Sequence, residues 1–288
     1  MAYPQVSGPY GLQAVNEIGG LPYAGSTRMI PIASGYTANL FYGQIVQLSA
    51  GTLIAGAYTP ASSPTTPIAG TIGVFVGCAY TNPSTLQPIQ SQYWPANTVA
   101  NDAIAYVIDD PRTVFKVAVG SQGTSLSNTS AGAGYMNPQF IGTNVYPLSG
   151  AGGSTTSGNS LLSVSGGVVS NGTGNVRVTA AAPLRVVGIV PDTVYSVTQT
   201  ASTSGSSTTL TLTAANSDIK AGMQISSPSG TGGYSGNYVY VTNVNGTTVT
   251  LSSAVTIASG TQVTFIGYPE VLVTWNGNFH SYNNTTGV

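Results

Sequence analysis

Apolar residues in this chain either alternate with polar ones or gather in short runs, and the runs are closed by glycine, proline or Asn-Gly. Gln44-Ile45-Val46-Gln47-Leu48 follows Leu40-Phe41-Tyr42-Gly43. Gly73-Val74-Phe75-Val76-Gly77-Cys78-Ala79-Tyr80 is apolar throughout, the pattern of a strand covered on both faces. Ala103-Ile104-Ala105-Tyr106-Val107-Ile108 and Val114-Phe115-Lys116-Val117-Ala118-Val119 come next. Strands at this spacing, with turn residues between them, predict an all-β fold, a glycine-rich barrel or sandwich. No stretch holds apolar residues at i, i+3, i+4 and i+7 over three turns, so long helices are not expected.

Residues 1–32 lack that strand pattern and are dotted with Pro4, Pro9, Pro22 and Pro31. They predict an extended N-terminal arm with one helical turn around Leu12, Val15 and Ile18. Such an arm is either tucked into the chain's own core or laid on a partner. In the second case the candidate interface residues are Tyr3, Tyr10, Leu12, Leu21, Tyr23, Arg28 and Tyr36, because amphipathic aromatics and arginine suit interfaces. Residues 121–174 are dominated by Gly, Ser, Asn and Thr, apart from Leu161, Leu162 and Val164, and predict a long surface excursion.

Strand signals return at Leu184-Arg185-Val186-Val187-Gly188-Ile189-Val190. A compact unit follows over 197–266, where Thr208-Thr209-Leu210-Thr211-Leu212-Thr213 alternates strictly. Within it, Asn245-Gly246 between two strand-like runs predicts a hairpin with a type I′ turn, which needs positive φ at both central residues. Val271-Leu272-Val273-Thr274-Trp275, then Asn276-Gly277, then Asn278-Phe279-His280 predicts a last hairpin. The expected organisation is a host domain of residues 33–196 plus 267–288, with 197–266 inserted as a small immunoglobulin-like β module. On this view 184–190 and 271–275 belong to one host sheet. Insertion is tolerated where the two connections lie close together at the surface.

Composition narrows the function. Among 288 residues there are 6 Lys+Arg, 7 Asp+Glu and one His, a net charge of −1, while mean hydropathy is +0.18. Charged residues make up 5% of the chain, against about 25% in ordinary soluble domains. Nucleic acid is not an expected partner, because phosphate binding needs a Lys/Arg footprint. No run of about 18 apolar residues occurs, so no membrane partner is expected. The N-terminus shows no basic and apolar signal pattern, which predicts assembly in a cytoplasm. A surface so poor in dispersed charge suits a protein covered by neighbours.

The same scarcity leaves little chemistry. Asp109-Asp110-Pro111-Arg112 reads as a turn, with Asp leading and Pro second. A Ca²⁺ site would need further oxygen ligands, and only Asp102 is near in sequence. His280, the single histidine, has Glu270 as its one acidic neighbour, and no Gly-x-Ser-x-Gly elbow supplies a nucleophile. Cys78 lies in an apolar strand, as a small hydrophobe would. The glycine-rich stretches 150–158 and 228–236 lack the Gly-Lys-Ser/Thr of a phosphate loop. A depolymerase would need a carboxylate pair. No enzyme activity, catalytic residue, metal site or cofactor is expected.

Several segments resemble virion proteins of tailed phages, marine ones in particular. They are 19–36 (GGLPYAGSTRMIPIASGY), 73–78 (GVFVGC), 91–95 (SQYWP), 105–111 (AYVIDDP) and 280–288 (HSYNNTTGV). Residues 41–119 are similar to the small glycine-rich barrels of head decoration, or cement, proteins. The unit containing Asp218-Ile219-Lys220-Ala221-Gly222-Met223 and Asn243-Val244-Asn245-Gly246 resembles immunoglobulin-like modules of phage structural proteins. The resemblance implies a structural protein on the outer surface of the capsid, partnered by the major capsid protein and by itself as a homodimer or trimer. The alternative is a tail-associated or receptor-binding protein that recognises host-surface glycans.

Overall fold

The computed structural model describes residues 8–56, 70–119, 141–148, 152–164, 168–170, 175–177, 182–193, 196–202, 205–226, 239–267 and 270–283. These are nearly all β. The strands of the first half are β1 (Gln13–Glu17), β2 (Arg28–Pro31), β3 (Gln44–Ser49), β4 (Thr52–Ala55), β5 (Thr71–Thr81), β6 (Pro88–Ser91), β7 (Ile104–Ile108) and β8 (Thr113–Ala118). Then come β9 (Asn144–Val145), β10 (Val168–Ser170), β11 (Asn175–Arg177) and β12 (Leu184–Val190). The last group is β13 (Ser196–Thr200), β14 (Gly205–Thr211), β15 (Gln224–Ser226), β16 (Val241–Asn245), β17 (Thr248–Ile257), β18 (Gln262–Ile266) and β19 (Glu270–Trp275).

Two antiparallel sheets carry the first part of the chain. One has the order β1-β8-β19-β12-β9, the other β2-β7-β5-β3-β4 with β6 added on β5. Ile32, just past β2, bridges Leu53 of β4, so the opposite ends of the second sheet meet and the sheet is curled. β5 explains its apolar run. Phe75 and Cys78 join a core with Trp94, Leu40 and Val107 on one face, while Val74 faces a second core with Phe115, Val273 and Leu184. A strand covered on both sides has no polar face to alternate. Gly73 marks its tightest point, since a Cβ there would lie 2.0 Å from the carbonyl oxygen of Ile108.

Residues 12–31 are not a free arm. β1 is an edge strand on β8 and β2 an edge strand on β7, and Leu12 is fully buried in the core between the sheets. The predicted helical turn is a strand with a register shift between Ala14 and Asn16. Gly11 and Gly43 approach so closely that a Cβ on either would meet the other's backbone at 2.9 Å, and both have positive φ. Tyr3 lies outside the described residues.

The excursion over 121–174 falls largely outside the described residues. Its described parts are not merely superficial: Val145, Leu162 and Val164 are fully buried in the inter-sheet core. Val164 bridges both Val119 and Pro147.

Val190 pairs with Glu270 at the end of the β12–β19 ladder. Between them the chain forms two three-stranded sheets, β13-β18-β15 and β14-β17-β16. Their shared core (Leu210, Met223, Val249, Leu251, Phe265 and others) draws its buried residues from 201–265, with Val197 packed against it. The other two cores take nothing from that range. In the β16–β17 hairpin Asn245 pairs with Thr248, so the central turn residues are Gly246 and Thr247. Gly246 has φ +59 and, among the described non-glycine residues, Thr247 is not of positive φ. The turn is therefore of the II′ kind, with Gly first, and not the expected I′ turn. The predicted C-terminal hairpin is also corrected: β19 is followed by 3-10 turns at Gly277–Phe279 and Ser281–Asn283. No helix among the described residues is long and apolar enough to cross a membrane.

Candidate interaction surface

The residues singled out for an interface divide by burial. Leu12 is consumed by the chain's own core. Tyr10 is half-buried, and its hydroxyl donates to the Glu270 carboxylate. The Lys116 ammonium lies 3.5 Å from the same carboxylate oxygen and 5.7 Å from the Tyr10 ring centre. Burial first, then Glu270, pushes the Tyr10 hydroxyl well above its usual ionisation range. The Glu270 N–H donates to Thr193 Oγ1 at 2.8 Å, and that hydroxyl donates to the Val190 carbonyl at 2.7 Å. This cluster ties the N-terminal segment to the two chain connections of the 196–266 unit. An interior carboxylate needs such partners, because a lone buried charge is costly.

Tyr36 is also turned inward. Its hydroxyl oxygen accepts the Ala55 N–H at 2.8 Å, and its ring packs on the core of the curled sheet. Tyr23 is half-buried against the inter-sheet core and donates to the Ser26 carbonyl at 2.6 Å. Leu21 is 60% exposed, at the reversal between β1 and β2. Val15, Ile18 and Met29 are also exposed, at 46%, 46% and 63%. These three lie on or beside the edge strands; by sequence Val15 and Ile18 read as part of a helical turn, and none of the three is named for an interface. The signal of Val15 and Ile18 was hidden because the register shift at Val15 breaks the two-residue alternation.

Arg28 belongs to a surface cluster built from three distant segments. Its Nη1 lies 3.5 Å from Asp109 Oδ2 and donates to the Tyr282 hydroxyl oxygen, while the Tyr282 O–H donates to Asp109. Tyr282 is raised above the usual tyrosine range, by burial and then by Asp109. The hydrogen bond to Tyr282 holds Arg28 firmly in its charged form. Asp110 makes the turn, its carboxylate accepting the Arg112 N–H at 2.8 Å. Asp102 caps the end of β5, accepting from the Thr81 hydroxyl and N–H, which keeps its carboxyl below the ordinary range.

Beneath the cluster His280 is fully buried, edge-on to Trp275 at 5.4 Å and to Tyr282 at 5.0 Å. Its Nδ1 accepts the Tyr282 N–H at 3.3 Å, so the ring is the neutral Nε2–H tautomer. Burial lowers its pKa against the opposing pull of Ile72, Asp109 and Asp110. Cys78 donates to the Tyr93 carbonyl, and burial pushes its thiol up to about 12, the wrong direction for a nucleophile. Among the described residues no three His, Cys, Asp or Glu side chains are grouped to hold a metal.

Compared with protein families, curated proteins and solved structures, the chain matches none of them.

Proposed function

We propose that this chain is a virion structural protein, a head decoration protein that binds the outer surface of the major capsid lattice of a tailed phage and stabilises the shell. The resemblances in sequence suggest the particle. The observation that carries the role is the exposed apolar set Val15, Ile18, Leu21 and Met29, on and between the edge strands β1 and β2 of a protein with 5% charged residues. Edge strands are normally guarded by charge. Here the guard is Glu17 and Arg28 alone, and Arg28 is engaged with Asp109 and Tyr282. Such edges suit a protein that is held against neighbours. Each contact is modest, and repetition over a lattice of interfaces above about 1,000 Å² stabilises the whole shell.

The test adds purified protein to expanded shells lacking it and follows copy number and shell melting temperature. The expected outcome is a stoichiometry comparable to that of the capsid protein and a raised melting temperature. Leu21→Asp with Met29→Asp should abolish both while leaving the isolated protein folded. Point variants are needed because deleting residues 1–32 would remove β1, β2 and Leu12 from the fold. A few copies per particle, confined to the tail, would overturn the reading. A tail or receptor-binding placement is the second reading, favoured by the uncharged face of the 196–266 unit.

A further inference from the structure

Asn-Gly is a turn signal, and it is also a reactive sequence. Glycine carries no side chain, so its N–H can approach the Cγ of the asparagine before it without a clash. Two such pairs lie among the described residues, Asn245-Gly246 and Asn276-Gly277, while Asn171-Gly172 lies outside them. By sequence the two are alike. The fold separates them.

Asn276 is held by its neighbours. Its Nδ2 donates to Asn144 Oδ1 at 3.1 Å and to the Ala182 carbonyl at 3.0 Å, which uses both amide hydrogens. Its own N–H donates to the Pro183 carbonyl at 2.9 Å, and its carbonyl accepts the Phe279 N–H at 3.0 Å. For the Cγ to turn towards the Gly277 nitrogen, the side chain must leave both acceptors. Asn245 has no such restraint. It is exposed at the end of β16, and among the described residues no hydrogen bond engages its side chain. Asn245 pairs with Thr248 across the turn, and that pairing does not use the Gly246 N–H. Gly246 is exposed too, and a Cβ built on it would meet nothing within 4 Å. Neither the approach of the nitrogen nor the entry of water is obstructed.

We propose that Asn245 is a site of spontaneous deamidation in the folded chain and that Asn276 is protected from it. The Gly246 nitrogen attacks Asn245 Cγ; a C–N bond forms, Nδ2 leaves as ammonia with the glycine proton, and a succinimide ring closes. Water then adds to one of the two ring carbonyls and one C–N bond breaks. Opening on one side gives aspartate. Opening on the other gives isoaspartate, in which Cβ becomes part of the main chain. Water is the one co-reactant, and no electron changes hands. The unit 196–266 holds only Asp218 and Lys220, so one added carboxylate takes it from zero to −1 and the chain from −1 to −2. That charge arises on the edge strand β16, a position where charge discourages pairing with another strand. Isoaspartate also lengthens the backbone within a two-residue turn. The Asn245–Thr248 pair, and the bond from the Leu212 N–H to the Thr247 carbonyl at 2.8 Å, must adjust to it. The inference does not rest on the proposed virion role.

The test incubates the purified full chain at mildly alkaline pH and follows Asn245 and Asn276 over time by peptide mass spectrometry, with isoaspartate scored by enzymatic methylation. A parallel sample is unfolded in guanidinium chloride. In the folded chain, conversion at Asn245 should be at least about tenfold faster than at Asn276, which reacts only through local opening. In the unfolded sample the two rates should agree within about twofold, because the restraints on Asn276 are gone. Isoaspartate should form at position 245, since only the succinimide leads to it. Similar rates at the two sites in the folded chain overturn the proposal, as does faster conversion at Asn276. So does an Asn245 that stays intact while the unfolded chain converts. A tenfold preference that persists in guanidinium would assign the difference to sequence and not to fold, and aspartate without isoaspartate would mean direct hydrolysis; either also overturns it.

Discussion

Replacing residues 191–269 by Asn-Gly would join Val190 directly to Glu270, which already face each other in the ladder, and would test whether the host stands without the 196–266 unit. A two-residue Asn-Gly connection suits an antiparallel pair. The magnitude follows from the cores. The unit's core takes residues from 197–265, and the host cores take none of these. Excision therefore removes no host core packing, and its cost should stay within about 1 kcal/mol, the scale of the lost Thr193–Glu270 hydrogen bond. A contrasting perturbation unfolds the unit in place: Phe265→Asp puts a carboxylate where a fully buried ring sits. The host must then close a flexible loop of residues 191–269, 79 in all. Loop closure scales as (3/2)RT ln n, so lengthening from 2 to 79 residues costs about 3 kcal/mol. For a host of about 200 residues that is a loss of roughly 6–12 °C. Fluorescence isolates the host, because the chain's two tryptophans, Trp94 and Trp275, sit in the host cores. The expected order of tryptophan melting temperatures is excised form equal to full chain, and Phe265→Asp lower by that margin. An excised form that melts below Phe265→Asp, or without a cooperative tryptophan transition, would refute the separation of cores on which this rests.

Gly73→Ala should destabilise the host by about 3 kcal/mol or more, above the usual cost of one added methyl group, because its Cβ would sit 2.0 Å from a backbone oxygen that cannot swing away; tryptophan-detected denaturation showing a loss below about 1 kcal/mol would contradict this close approach. Stability should also fall on acidification through His280. Its native pKa is lowered by burial, so the unfolded chain binds the proton more readily. The contribution is fully present above the unfolded value of about 6.5 and is lost as pH falls towards the lowered native value, by at most about 1.4 kcal/mol per pH unit. A denaturation series from pH 7 to 4 on the chain and on His280→Phe checks this, the variant being expected to lose that part of the slope.

Much of the strand content was legible because burial on two faces leaves uninterrupted apolar runs, as in β5, and burial on one face leaves alternation, as in β14 and β17. The pairing of Leu184–Val190 with the strand that ends at Trp275 could be anticipated for the same reason. Other elements were hidden by local irregularity. Leu12, Val15 and Ile18 imitate helical spacing only because the register shift between Ala14 and Asn16 alters the strand's phase. The hairpin turn fell one residue later than Asn-Gly implied, since Asn245 is used in pairing with Thr248. After Trp275, a return strand gives way to 3-10 turns that bury Phe279 and His280. Leu162 and Val164 were submerged in glycine and serine because they enter the core with no period to read, Val164 through two isolated bridges and Leu162 through a carbonyl that accepts the Gly11 N–H. The Arg28–Asp109–Tyr282 cluster joins residues up to 254 positions apart, beyond any motif.

Several of the few charges are engaged within the molecule, and this bears on what the surface can do. Lys116 pairs with Glu270, Arg28 with Asp109, and Arg185 donates to Asn144. Asp102 and Asp110 hold backbone N–H groups at strand ends. With 6 basic and 7 acidic residues in the whole chain, and two opposite-charge pairs closed within it, long-range electrostatic steering has little to act on. Recognition must then rest on shape, apolar contact and short hydrogen bonds, which act only at contact and discriminate by fit. That is a poor basis for rapid capture of a dilute partner. It is sufficient where the partner is already concentrated and regularly spaced, as the subunits of a shell or the repeats of a polysaccharide are. The proposed role therefore draws on one property: surfaces of low individual affinity become effective when the target repeats.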